Sequence, residues 1–150
     1  MKPSPFLLER YFAKHEFNTP YLLCSSDCEA MSLEELLSLD ADAWQGFKRL
    51  WLGYTESQGN PALREAISTL YDGISPQEVL VHAGAEEAIF NFMNAMLAPG
   101  DHVLVHTPCY QSLQEIPVAL GCEITALETD DAHAWRLNID AIAAQIRPNT

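Results

Sequence analysis

The feature that most constrains the fold is an alternation of short apolar runs with helix-like segments in the second half of the chain. Runs rich in β-branched and aliphatic residues predict strands near 79–82, 102–106 and 122–127. Between them, the spacing of apolar residues predicts helices near 85–97 and 110–120. Parallel strands need a crossover connection, usually a helix. We therefore predict an α/β fold with a parallel-rich sheet flanked by helices.

The size and net charge of the chain indicate which kinds of molecule it can bind. The chain has 150 residues, is 48% hydrophobic and carries a formal net charge of -13. This acidity repels phosphodiester backbones, so we expect no nucleic-acid partner. No stretch approaches the roughly 20 apolar residues of a membrane span, and the first ten residues do not form a secretory signal. We expect a cytoplasmic protein with no membrane partner that acts on small molecules.

The cysteines and histidines raise the question of a metal site. Cys24 and Cys28 form a C-x3-C pair, and His102 and His106 would complete a nominal zinc set. The two histidines, however, bracket an apolar run that reads as a strand, and the other two cysteines sit among apolar residues. We therefore predict no metal site and no disulfide.

Helix starts are marked at three places by capping residues. Ser32 followed by Glu35 is a capping box. Asn60 precedes a proline at the first helical position, and Asn138 precedes a short helical pattern. Residues 5–17 contain no glycine or proline after Pro5 and predict an amphipathic opening helix.

A small-residue turn at Gly84 follows the first predicted strand and opens a helix. Ala85 and Glu86 are the first helical positions, so their N–H groups lack partners inside the helix and can bind an anion. Glu86 is expected to offer its backbone N–H with its carboxylate turned away, because two anions in contact repel. The alternative is a turn that needs Gly84 only for its backbone angles.

Tyr110 follows the second predicted strand in a Pro-Cys-Tyr sequence. An aromatic ring just past the end of a strand is placed to stack on a flat ligand, and core packing is the alternative. A phosphate grip together with a stacking ring indicates a phosphorylated aromatic cofactor. The turn lacks the G-x-G-x-x-G pattern, which disfavours a dinucleotide-binding domain.

These two motifs, with the blocks at 53–55 and 59–67 upstream, resemble the class I/II aminotransferases, the fold-type I enzymes that use pyridoxal 5′-phosphate (PLP). The blocks occur in the family's order and at family-like spacing. The resemblance implies part of a PLP-dependent transferase large domain. It also implies transfer of an amino group between an amino acid and a 2-oxo acid.

The resemblance assigns roles to five residues. Gly84, Ala85 and Glu86 would bind the cofactor phosphate, and Tyr110 would stack on the pyridine face. Tyr54 resembles the tyrosine that reaches from one subunit to the PLP phosphate of the other, which implies a homodimer. The alternative for Tyr54 is a half-buried turn tyrosine.

The family also requires a Schiff-base lysine, which it places downstream of residue 150. The chain offers only Lys2, Lys14 and Lys48, none in the family's Ser/Thr-rich setting. We therefore expect an N-terminal portion of the enzyme that contains no catalytic residue, is truncated before the lysine and is inactive alone. The alternatives are a PLP-dependent lyase or decarboxylase of the same fold, and a non-catalytic truncated remnant.

The resemblance divides the chain at residue 45. Residues 1–45 would form an N-terminal segment on the substrate side or at an interface, and residues 46–150 the first part of the PLP-binding large domain. Many family members carry a glycine near the substrate carboxylate where this chain has Ser26 and Asp27. Both are substrate-side candidates, and Asp27 could meet a cationic group such as a guanidinium. The alternative for Asp27 is an exposed loop acid.

Overall fold

A computed structural model describes residues 2–25 and 27–150 of the chain. The chain divides into two compact units, one formed by residues up to Asn18 together with His82–Thr150 and the other by Thr19–Val81. Ser26, a predicted substrate-side residue, lies outside the described residues.

The described residues form helices, two strands and two 3₁₀ turns. The helices are α1 (Leu7–His15), α2 (Leu33–Ser38), α3 (Ala43–Lys48), α4 (Pro61–Ser68), α5 (Ala85–Met96), α6 (Ser112–Leu120) and α7 (Ile139–Gln145). The strands are β1 (His102–Thr107) and β2 (Glu123–Glu128), and the 3₁₀ turns are Pro76–Glu78 and Asp131–His133. None of the helices in the described part of the chain has the length and apolar character that crossing a membrane requires.

The core of the first unit lies where α6 packs against two parallel strands. β1 pairs with β2 in parallel, with His102 opposite Glu123, and α6 makes the crossover between them. Val105 of β1 is 6% exposed and Ile116 of α6 is 9% exposed. The predicted α/β fold with a parallel sheet is confirmed, and both strands lie within one residue of their predicted bounds.

His102 is a buried and fully partnered side chain at the start of β1. It is 2% exposed, and its Nδ1 and Nε2 atoms each lie 2.8 Å from a threonine hydroxyl, of Thr150 and Thr125 respectively. The ring therefore ties β1 to β2 and to the last residue of the chain. Among the described residues no three His, Cys, Asp or Glu side chains are grouped to hold a metal ion.

The prediction of a strand at 79–82 is wrong. Val79 has an extended backbone (φ -96°, ψ 125°), but the segment pairs with no strand of the described chain. Its recorded backbone bond is from the N–H of Val81 to the carbonyl of Gln58, at 2.9 Å. An apolar run shows that a segment suits a sheet, whereas strand structure also needs a neighbouring strand with which to exchange hydrogen bonds.

The second unit consists of short helices whose starts are capped by side chains. Ser32 and Glu35 form the predicted capping box at α2, with the Ser32 N–H donating to the Glu35 carboxylate at 2.6 Å. The Asn60 side chain accepts from the N–H of Ala62 at 2.9 Å at the start of α4, so that predicted cap is confirmed. Arg64 donates to the carbonyl of Pro76 at 2.8 Å and thereby ties α4 to the following 3₁₀ turn.

Candidate functional site

The start of α5 presents backbone N–H groups at the predicted anion-binding turn. α5 begins at Ala85 directly after Gly84 and runs for 12 residues. The N–H of Ala88 donates to the carbonyl of Gly84 at 3.2 Å as the first bond of the helix. The N–H groups of Ala85 and Glu86 therefore have no acceptor within α5, and the helix dipole adds partial positive charge there.

Gly84 faces open space. Its backbone is extended (φ 172°, ψ 166°), which side-chain-bearing residues also adopt. A Cβ built at this position would meet no atom within 4 Å among the described residues. The alternative explanation, that the turn needs a glycine for its backbone angles, is therefore wrong. What the glycine leaves is room in front of the helix for a ligand to approach the backbone.

The Glu86 carboxylate is bonded to the start of α6. It accepts a hydrogen bond from the hydroxyl of Ser112 at 2.9 Å, and Ser112 is itself buried. Because the carboxylate is held there, Glu86 presents its backbone N–H at the turn with its side chain engaged elsewhere. Ser112 lies two residues after Tyr110, so this bond brings the turn and the Tyr110 loop together.

The Glu87 carboxylate contacts the two residues that precede Gly84. Its carboxylate accepts from the N–H of Ala83 at 2.6 Å and lies 3.8 Å from Nδ1 of His82. This contact was not predicted from the sequence. An acidic residue at the third helical position was a partial signal, but a capping box would place its carboxylate on the N–H of Gly84 and not on that of Ala83.

Tyr110 is held by the N-terminal arm, which we define as residues 3–9. The ring is 37% exposed. Its hydroxyl donates to the carboxylate of Glu9, and its centroid lies 5.3 Å from that of the Phe6 ring at an angle of 57°. No pattern in the sequence could have found Glu9, because 101 residues separate it from Tyr110 and both segments are individually unremarkable in composition.

Cys109 precedes Tyr110 and is partly buried. Burial raises the pKa of the Cys109 thiol above its usual value of 9.0. Burial therefore disfavours the thiolate, which is the reactive form of cysteine.

Tyr54 and Asp27 belong to the second unit, whereas the turn at Gly84 and Tyr110 belong to the first. Tyr54 is fully exposed, so the alternative of a half-buried turn tyrosine is wrong. Asp27 is also exposed, and its carboxylate accepts from the hydroxyl of Ser25 at 3.3 Å in a local loop turn. Their assignment to the cofactor and the substrate stays a prediction.

With this geometry established, comparison with known proteins identifies the family. The family model for aminotransferase class I and II matches residues 20–150. The chain belongs to this family. Class I/II aminotransferase membership was expected from the blocks at 53–55 and 59–67 and from the two later motifs, and that expectation is confirmed.

Individual relatives show how much of a family member the chain represents. The arginine–pyruvate transaminase AruH of Pseudomonas aeruginosa is 28% identical over 102 residues, which cover 65% of this chain and 26% of that protein. A PLP-dependent aminotransferase from Streptococcus suis 89-1591 is 29% identical with a TM-score of 0.89, over 100% of this chain and 41% of that one. The PLP-dependent cyclase OrfR is 28% identical with a TM-score of 0.83, over 100% and 39%. The chain thus spans about a quarter of that curated relative and about two fifths of these solved structures.

Proposed function

We propose that this chain is the N-terminal portion of a PLP-dependent aminotransferase that transfers an amino group between an amino acid and a 2-oxo acid. Family membership supports the class of reaction. The observation that carries the cofactor assignment is the turn at Gly84, where two helix-start N–H groups have no acceptor within α5 and a Cβ at Gly84 would meet no described atom within 4 Å.

The residues present fit pyridoxal 5′-phosphate. The cofactor carries a phosphate dianion and a flat heterocycle. Ala85 and Glu86 offer N–H donors to the phosphate, and Gly84 leaves room for its oxygens. Tyr110 offers a partly exposed ring for the heterocycle in the same unit.

The chain's own contribution is binding and orientation. When bound, the cofactor supplies an electron-withdrawing ring that stabilises negative charge on the substrate Cα. Ala85 and Glu86 anchor the phosphate, while Tyr110 holds the ring flat and limits its tilt. No residue assigned here moves a proton, and that role is expected of the lysine that the family places after residue 150.

The second unit supplies two further proposed contacts. The exposed hydroxyl of Tyr54 is a neutral donor suited to a phosphate oxygen of the other subunit in a homodimer. Asp27 would face the substrate, where its carboxylate would favour a cationic group. We propose a cytoplasmic location, in keeping with a small-molecule enzyme.

Replacement of Gly84 by valine tests the cofactor site. The backbone at Gly84 is extended and a Cβ there meets no described atom within 4 Å, so we expect the full-length protein to keep its melting temperature. The valine would occupy the space for the phosphate, and we expect PLP affinity to fall at least about tenfold, the equivalent of about 1.4 kcal/mol. The measurements are PLP titration by absorbance and thermal unfolding without cofactor.

The matched control is Gly46→Ala in α3, where a Cβ also meets nothing within 4 Å. It should leave PLP affinity unchanged. Unchanged PLP affinity in Gly84→Val would contradict the placement of the phosphate at this turn.

A second candidate is a PLP-dependent reaction other than amino transfer, as in a lyase, decarboxylase or cyclase. The likeness to a solved PLP-dependent cyclase favours keeping it. Full-length protein incubated with single amino acids, with and without a 2-oxo acid, separates the two. Amino transfer over many turnovers requires the 2-oxo acid and converts it to a new amino acid, whereas the other reactions proceed without it.

A further inference from the structure

The N-terminal arm is attached to the Tyr110 loop by its backbone as well as by its side chains. The Gln111 side-chain amide accepts from the N–H of Leu7 at 2.9 Å and donates to the carbonyl of Pro5 at 3.0 Å. These two bonds fix the arm in register with Tyr110, so that the Phe6 ring and the Glu9 carboxylate arrive at the tyrosine together.

The arm also reaches the predicted phosphate turn. A cavity of about 190 Å³ lies beneath it in the first unit. Its lining includes Phe6 of the arm, Glu86 of the turn and Ser112, to which the Glu86 carboxylate is bonded. The arm, the start of α5 and the start of α6 therefore line one cavity.

Two contacts of different kinds restrain the Tyr110 ring. The tilted packing of Phe6 at 5.3 Å limits sideways movement of the ring. The hydrogen bond from the phenol to the Glu9 carboxylate fixes the outer end of the ring, and a bond to a charged acceptor is roughly twice as strong as one between neutral groups. Swinging of the ring about the bond between Cα and Cβ would move the phenol oxygen away from Glu9 and break that hydrogen bond.

We propose that Glu9 is a positioning residue that fixes the outer end of the Tyr110 ring, while Phe6 packs against the ring, which makes the N-terminal arm part of the cofactor site. This inference rests on the proposed function, in which Tyr110 stacks on the cofactor. A ring held in place before the cofactor binds needs little further ordering on binding, and it favours one orientation of the bound heterocycle.

The test compares Glu9→Ala, Glu9→Gln and Tyr110→Ala in the full-length protein. Glu9→Ala removes the hydrogen bond from the phenol to the carboxylate, so we expect PLP affinity to fall about fivefold, in the range of one lost hydrogen bond. We also expect a weaker visible circular dichroism band from bound PLP, because that band depends on a fixed cofactor orientation. Glu9→Gln keeps an oxygen acceptor and should restore most of both signals.

Glu16→Ala is the matched control, since Glu16 is a partly exposed acid that follows the other end of α1 as its C-cap residue. It should change neither the affinity nor the dichroism. A double variant, Glu9→Ala with Tyr110→Phe, should bind PLP no more weakly than the worse of its two single variants, because both remove the same bond.

The outcomes separate this inference from the proposed function. If Tyr110→Ala weakens PLP binding while Glu9→Ala leaves both affinity and dichroism unchanged, the positioning role of Glu9 is overturned and the cofactor site stands. If Tyr110→Ala itself has no effect, the assignment of Tyr110 to the cofactor falls and the role of Glu9 falls with it.

Discussion

The two units of this chain are built by different means. In the first, a helix packs against a parallel pair of strands, and Val105 of β1 and Ile116 of α6 are buried. In the second, the helices α2 and α4 begin with side-chain caps that bond within the first turn of the same helix. Large apolar side chains such as Trp51 and Leu52 are exposed among the described residues. A parallel sheet fixes long-range packing, whereas a cap fixes only where a helix begins.

The difference between the units can be tested most directly by shortening one apolar side chain in each. Ile116→Ala should lower the free energy of unfolding by about 2–5 kcal/mol, because it opens a cavity in a packed core. Leu52→Ala removes a side chain that is 93% exposed and should change the free energy by no more than about 0.5 kcal/mol. Urea unfolding of the full-length protein measures both.

A large loss of unfolding free energy in Leu52→Ala would contradict this difference between the two units. It would mean that the exposed apolar surface of the second unit is covered by other parts of the full-length protein or by a second subunit. Repeating the measurement at several protein concentrations would separate these two sources, because only a dimer interface makes the unfolding midpoint depend on concentration.

Capping residues should matter equally in both units. Asn60 caps α4 in the second unit, and Asn138 caps α7 in the first by accepting from the N–H of Ala141 at 3.0 Å. Replacing either by alanine should cost about 1 kcal/mol, because each leaves helix-start N–H groups without an acceptor. Asn60→Asp keeps the oxygen and serves as the control. Unfolding midpoints measure the effect, and a cost confined to one unit would show that tertiary packing overrides the cap.

The smallest expected effect is an acid dependence in the second unit. The backbone N–H groups of Ser32 and Ser75 hold the pKa of Glu35 and Glu78 below the usual 4.5. A lowered pKa in the folded state means that the stabilisation is complete above about pH 4.5 and is lost as the pH falls through the folded value. The wild type should therefore lose stability on acidification.

A variant with Glu35→Gln and Glu78→Gln keeps the hydrogen-bond acceptors but not the charge. Its stability should fall less than that of the wild type when the unfolding midpoint is compared at about pH 5.5 and about pH 3.5. An equal fall in both proteins would show that other carboxylates control the acid response.

Sequence reasoning succeeded where the signal is local. β1, β2 and α5 lie within one residue of their predicted bounds, since apolar periodicity and flanking Gly and Pro residues report directly on short segments. The caps at Ser32, Asn60 and Asn138 were predicted for the same reason, because a capping side chain bonds within its own first turn.

Predictions from the sequence failed where the structure of a segment depends on residues far away in the chain. The segment at 79–82 has a strand's composition, but composition does not supply the neighbouring strand that would complete its hydrogen bonds. The candidate site divides in the same way. The turn at Gly84 and the ring of Tyr110 could be predicted from nearby residues, whereas the bonds from Tyr110 to Glu9 and from Gln111 to Pro5 join segments about a hundred residues apart.

The open space in front of Gly84 has a consequence for how this position would behave under selection. In a library of variants, a screen that reports only on folding and expression should accept small side chains there, since a Cβ meets no described atom. A screen for PLP binding should reject most of them if the proposed phosphate site is correct. Position 84 would then record whether a lineage has kept its cofactor, independently of whether it has kept its architecture.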